Sequence, residues 1–218
     1  MMNIYLTLIF GILGISFGMV IPHISNGFVT YKKLRNNSEI VVKNCDIRTV
    51  GLVVVLNGVL WSYAGSKTEN IFITLLVSLL FTVAILISLI DLKIRLIPNE
   101  LVLFILFLGA VFQILYFGWM ALLYALICMV AVGFMFIMAG KLVGLEQVGA
   151  GDVKLAAAMG LILGYPDIKI GLIGMSGALI AFCLGGMTIK KLTMYSFFPL
   201  APFIMFGTIC SLIYIIGW

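Results

Sequence analysis

Seven stretches of this chain contain no Asp, Glu, Lys or Arg: residues 1–31, 49–66, 71–90, 101–140, 155–166, 170–189 and 192–218. An α-helix of about 20 residues rises roughly 30 Å, the thickness of a bilayer's hydrocarbon core, and most of these runs are long enough to cross it. The run 101–140 is twice that length and carries Phe117-Gly118-Trp119 near its middle, so it divides into two helices. The run 155–166 is short, and its helix is expected to begin at Asp152. The expected fold is an all-α integral membrane protein of about eight transmembrane helices. Composition agrees: 64% of residues are hydrophobic and 10% charged, against roughly 25% charged in ordinary soluble domains.

The few charges also give an orientation. With eight spans and the loop after the first on the cytoplasmic side, that side holds Lys32, Lys33, Arg35, Lys43, Arg48, Lys93, Arg95, Lys141, Lys154, Lys190 and Lys191. The other side holds only Lys67 and Lys169. Such an asymmetry follows the positive-inside rule and places both termini outside. The net charge of +5 is thereby explained without a nucleic-acid partner. No charged side chain precedes Lys32, so the first segment lacks the positive n-region of a cleavable signal and is read as retained. Residues 1–218 read as a single polytopic membrane domain, with 23–49 as a short basic cytoplasmic loop too small for its own core. The cysteines, Cys45, Cys128, Cys183 and Cys210, are too far apart in sequence for a zinc-site or disulfide framework.

Two carboxylates stand out. Asp91 closes the third apolar run in "LISLIDLKIRLIPNEL", and Asp152 opens the sixth in "GAGDVKL". Two crossings lie between them, so both reach the same face of the membrane. An ionisable group at membrane depth costs roughly 2.5–3.5 kcal/mol on insertion scales and usually lines a polar cavity or a functional site. Asp91 lies near a helix C-terminus, where the macrodipole disfavours negative charge. Asp152 has a bland explanation as the N-cap of the following helix. Gly149 and Gly151 can adopt positive φ and admit close approach of another backbone. A dinucleotide or phosphate loop fits poorly, because the third glycine of G-x-G-x-x-G and the Gly-Lys-Ser/Thr ending are both missing.

Two carboxylates facing each other across a wet cleft suit aspartyl hydrolysis. The pair shares one proton, one member activates water and the other protonates the carbonyl or leaving group. Neither a metal nor a covalent intermediate is required. Lys93, Arg95, Lys190 and Lys191 read as topology signals, and His23, the only histidine, as an interfacial polar residue. The glycines of "GLIGMSGALIAFCLGG" read as helix-packing positions, and Glu146 as a solvated loop carboxylate by default. A proton- or ion-coupled small membrane transporter using Asp91 and Asp152 is the main alternative. Against it, both aspartates lie at one face and the two halves show no repeat. A noncatalytic scaffold is a third reading, in which both aspartates would be dispensable.

The pairing of "DLKIRLIPNEL" with "LEQVGAGDVKLAAAMGLILG" resembles the type IV prepilin peptidases, integral membrane aspartyl proteases of the GxGD type. In that family the first catalytic aspartate lies seven residues before a proline, as Asp91 does before Pro98, and the second is the aspartate of GxGD, here Asp152. Glu146, Lys154 and Gly160 fall where the family pattern has Glu, Lys and Gly. "GISFGMVI" at 14–21 and "FPLAPFIMFG" at 198–207 are similar to its early Gly-Ser-Phe and late Pro-Phe-Gly-Pro-Phe segments. The resemblance implies a catalytic core over 87–164 and a bacterial inner-membrane enzyme with its active site facing the cytoplasm. It implies a prepilin or pilin-like substrate, cut after a glycine between a basic leader and a hydrophobic helix, with Glu146 or Glu100 compensating the leader's charge. A GxGD protease with some other membrane substrate is the variant of this reading. Many bacterial members carry paired CxxC motifs in the first cytoplasmic loop; here that loop holds only Cys45, too few ligands for a metal. The family's second activity, methylation of the new N-terminus from S-adenosylmethionine, is associated with that longer region, so the cofactor is expected only if methylation is present. Proteolysis needs none.

Overall fold

Inside a bilayer no water is available to backbone amides, so a chain with these runs must pair them within helices. In the computed structural model, which describes residues 2–36, 46–142, 149–188 and 199–217, the described residues form eight α-helices and no strand. These are α1 (Met2–Asn36), α2 (Ile47–Lys67), α3 (Ile71–Ile94), α4 (Asn99–Phe112), α5 (Trp119–Leu142), α6 (Ala150–Leu163), α7 (Ile168–Thr188) and α8 (Ala201–Gly217). The long run 101–140 does divide as its Phe-Gly-Trp suggests. A π-helical turn, Gln113–Phe117, ends α4, and Gly118 at φ 92° breaks the chain direction before α5 starts at Trp119.

Six helices are long and apolar enough to cross a membrane: α1, α2, α3, α4 with its π turn, α5 and α7. The other two, α6 and α8, have 14 and 17 residues. At about 1.5 Å per residue α6 rises only about 21 Å. Its length is tolerable because protein surrounds it: Leu155, Ala156 and Ala158 through Leu163 are all buried, and α4, α5, α7 and α8 pack against it. The helix α3 is equally internal, buried against α1, α2, α4 and α8. Outward faces carry large apolar side chains, among them Ile4, Leu8 and Ile12 of α1, Val55 and Val59 of α2, Ile127 and Phe134 of α5 and Ile173 and Ile180 of α7. A surface so apolar is at ease in lipid and not in water. The segment 23–49, expected as a loop, is helical at both ends: α1 continues through Asn36 and α2 starts at Ile47. Cys45 and residues 37–44 lie outside the described residues.

Small residues bring the helices together. A Cβ on Gly160 of α6 would stand 2.8 Å from the Cys128 carbonyl oxygen and 3.0 Å from Met129 Cα of α5. Within α7, Gly171 meets Leu163 and Met159 of α6 and Gly174 meets Gly207 and Cys210 of α8, whereas Gly177 and Gly185 meet open space, so packing accounts for only part of the glycine-rich run. Polar atoms are paired across helices as well. Asn57 of α2 donates to the Gly14 carbonyl of α1 at 2.8 Å, and Thr82 of α3 accepts from Trp61 Nε1 at 2.9 Å and lies 3.0 Å from Asn57 Oδ1. This link ties α1, α2 and the middle of α3 into one unit.

Replacing Gly160 by valine should force the α5 backbone away from α6 and cost about 1–3 kcal/mol. Thermal unfolding in detergent should show a lowered Tm; an unchanged Tm would mean that the α5–α6 approach is not tight.

Candidate active site

The spacing between Asp91 and Pro98 has a local cause. Asp91 occupies the last turn of α3, and its carbonyl accepts the Arg95 N–H at 2.8 Å. Arg95 then ends the helix in the left-handed region, φ 50° and ψ 42°, a conformation costing an L-residue roughly 1–2 kcal/mol. Ile97, preceding a proline, is biased toward extended backbone. Pro98 caps α4, its carbonyl accepting the N–H groups of Leu101 and Val102, both at 3.2 Å. Seven residues are thus what it takes to leave one helix, turn and enter the next.

The GxGD segment has an equally local reading, and it differs from the expected one. Gly149 is the N-cap of α6, with φ −52°, and Asp152 is the third residue of the helix, which begins at Ala150. Asp152 is therefore not the cap, and neither glycine serves through positive φ; Gly118 and Gly164 are the glycines that do adopt it among the described residues. What the glycines supply is room. A Cβ on Gly149 would stand 2.9 Å from Asp152 Oδ2, and one on Gly151 would stand 3.2 Å from Ile97 Cβ. The first glycine accommodates the Asp152 carboxylate folded back over the helix start. The second accommodates the α3–α4 turn.

These two turns meet. Asp91, Arg95, Leu96, Ile97 and Asn99 from one, and Gly149, Ala150, Gly151, Asp152 and Lys154 from the other, line a single cavity of about 240 Å³. Asp91 is buried, 4% exposed, and Asp152 is half-buried. The even number of crossings between the aspartates thus does return them to one end of the bundle. Lys154 is exposed and donates to Asn99 Oδ1 at 3.2 Å, joining the first turns of α6 and α4. Among the described residues no cluster of three or more His, Cys, Asp or Glu could hold a metal ion. His23 is exposed on α1. Glu100 lines a separate groove with α1 residues Ile24, Gly27, Phe28 and Tyr31 and is not among the residues lining the cavity of Asp91 and Asp152. Glu146 lies outside the described residues.

The helix-dipole objection to Asp91 is answered from another helix. Asp91 Oδ2 accepts the backbone N–H of Ala201, the first residue of α8, at 3.1 Å. That amide is one of the unpaired donors of a helix start, and the positive end of the α8 dipole favours a carboxylate. The partner could not be read from a side-chain motif, because the donor is backbone. Pro202, in the first turn of α8, is the sequence mark of a helix start that would have placed a free amide there. Arg95, read as a topology signal, and Asn99 are the other polar residues of the cavity to which no catalytic role had been assigned.

Asp91 is therefore also a stabilising group. Asp91→Ala leaves the Ala201 amide without its acceptor and should cost about 1.5–3 kcal/mol, whereas Asp91→Asn keeps an acceptor oxygen and should cost less. Unfolding of both variants in detergent tests this; equal losses would show that the α8 contact contributes nothing.

The profile of the type IV leader peptidase family matches residues 78–216, more than half of the chain. Among curated proteins and among solved structures nothing matches. The matched region starts within α3 and ends near the end of α8, taking in both cavity-forming turns and the α8 start that holds Asp91. By this match the chain belongs to the type IV leader peptidase family.

Proposed function

We propose that the chain is a membrane aspartyl endopeptidase in which Asp91 and Asp152 act as one pair, removing the basic leader of a prepilin or pilin-like protein. The observation that carries this reading is that two carboxylates from helices far apart in sequence line one cavity, in a chain whose family cleaves leader peptides. The cavity has space for water beside a peptide bond. One carboxylate takes a proton from water as its oxygen attacks the scissile carbonyl carbon, and the other hands a proton to the carbonyl oxygen. As the tetrahedral intermediate collapses, the C–N bond breaks and the amine leaves with a proton returned by the pair. The leader ends in a new carboxylate, and the mature helix begins with a free amine.

Geometry in the protein supports the roles. The Ala201 amide fixes Asp91, and the α6 helix start fixes Asp152. Ala201 at the α8 start is buried and Asp152 lies in the first turn of α6, which supports the preorganisation that acid–base catalysis requires. On this reading the scissile bond lies at the cytoplasmic boundary of a bacterial inner membrane, where a polar leader gives way to an apolar helix. Glu100 faces a groove on the other side of the α4 start and is placed to attract basic residues of the leader rather than to take part in the chemistry. A transporter would need its carboxylates near the midplane or along a path through the bundle; here both lie in helix-end turns.

Asp91→Asn and Asp152→Asn should each reduce cleavage of a pilin-like substrate by more than about 100-fold, the usual weight of a positioned acid or base. Immunoblots of membranes co-expressing substrate and enzyme read this directly, and near-wild-type processing by either variant would dismiss the dyad. For the purified enzyme, kcat/KM against pH should be bell-shaped, since the active form carries one proton on the pair. A rate independent of pH from 4 to 9 would contradict it.

A further inference from the structure

A substrate cut between a polar leader and an apolar helix needs two neighbouring environments, and the protein has both. Beside the polar cavity lies an apolar groove of about 370 Å³ between α4, α5 and α6, lined by Val102, Leu103, Leu106, Met129 and Ala157. Asn99 and Lys154 line the groove as well as the cavity. The Lys154–Asn99 hydrogen bond of 3.2 Å therefore spans the threshold between them. Leu103 is 67% exposed, so the groove opens sideways toward lipid.

We infer that this groove receives the first turns of the substrate's hydrophobic helix, immediately after the scissile bond, and that the chain crosses the Lys154–Asn99 threshold into the dyad cavity. The inference rests on the peptidase reading and assigns the surface that sets where that peptidase cuts. Continuity is what selects this groove. The α1–α4 groove is larger, about 500 Å³, but its lining of Ile24, Gly27, Phe28, Tyr31 and Glu100 has no residue in common with the cavity. An apolar helix docked between α4 and α6 has its first peptide bonds at the threshold, within reach of both aspartates. Lys154 and Asn99 can then hydrogen-bond to the extended backbone that a protease must bind, and apolar side chains of the groove hold the helix against lipid competition.

Site-specific photo-cross-linking tests the docking independently of the chemistry. A photoreactive residue is placed at Leu103, at Tyr31 in the α1–α4 groove, or at the lipid-facing Val59 of α2, in an Asp152→Asn background that retains uncleaved pilin-like substrate. An adduct at Leu103 at least about tenfold above Val59, mapping to the substrate's apolar segment, is the expected result. Adducts at Tyr31 and not at Leu103 would move docking to the other groove and overturn the inference. Signal at Leu103 no higher than at Val59 would mean that lipid fills the groove, and would overturn it too. Cleavage by the otherwise native chain separates the two readings: if it processes the substrate while Leu103 gives no adduct, the groove assignment alone falls. If it processes nothing, the peptidase reading falls and the groove's role with it. As a second variant, Leu103→Trp, a change on an exposed position, should raise KM about tenfold, the equivalent of one tenfold step in affinity, with kcat within about twofold.

Discussion

The structure turns on the contact between the end of α3 and the start of α8. A carboxylate near the C-terminus of an apolar helix is doubly disfavoured, by the low-dielectric surroundings and by its own helix dipole. The Ala201 amide counters both in part, because it donates to the carboxylate from the positive end of another helix. Asp91 stays buried at 4% exposure, with the Arg95 guanidinium, from the residue that ends its own helix, as a countercharge in the same cavity. The contact also ties α8 to α3, which pack against each other along the bundle.

The second constraint is the shortness of α6. Fourteen residues cannot span the hydrocarbon, and this becomes tolerable only because α4, α5, α7 and α8 enclose them. The first turn of α6 lines the cavity together with the α3–α4 turn, and Asp152 stands there. The glycines at 149 and 151 remove the two Cβ atoms that would otherwise strike the aspartate itself and the α3–α4 turn. Polar cavity, flanking apolar groove and helix-end anchoring are consequences of one arrangement, in which two turns from opposite sides of the chain's middle share a single space.

Much of this was legible in the sequence, for physical reasons that can be named. Charge-free runs announce crossings because lipid excludes charge, and Gly118 could be placed as a break because it separates two runs that together exceed any one crossing. The common location of Asp91 and Asp152 followed from the parity of crossings alone. The cause of the glycines did not. Residue type suggests positive φ, but the need at 149 and 151 is for space against Asp152 and Ile97, which depends on how distant turns pack. The helix start at Ala150 was missed for a related reason: an aspartate before an apolar run looks like a cap, whereas here it occupies the third position, folded back. The Ala201 amide was the least legible feature, since a backbone donor leaves no trace in residue type beyond the proline that follows it.

If the two aspartates work as one unit across one cavity, a double-mutant cycle on cleavage rates will show it. The rates of Asp91→Asn, Asp152→Asn and the double variant on one pilin-like substrate would be measured against the native chain. Residues that act as a unit lose most of their joint effect with the first substitution, so the double variant is predicted to be no slower than the slower single variant within a few-fold. Losses that multiply, or a single variant that cuts near the native rate, would show that the two aspartates do not act as a pair.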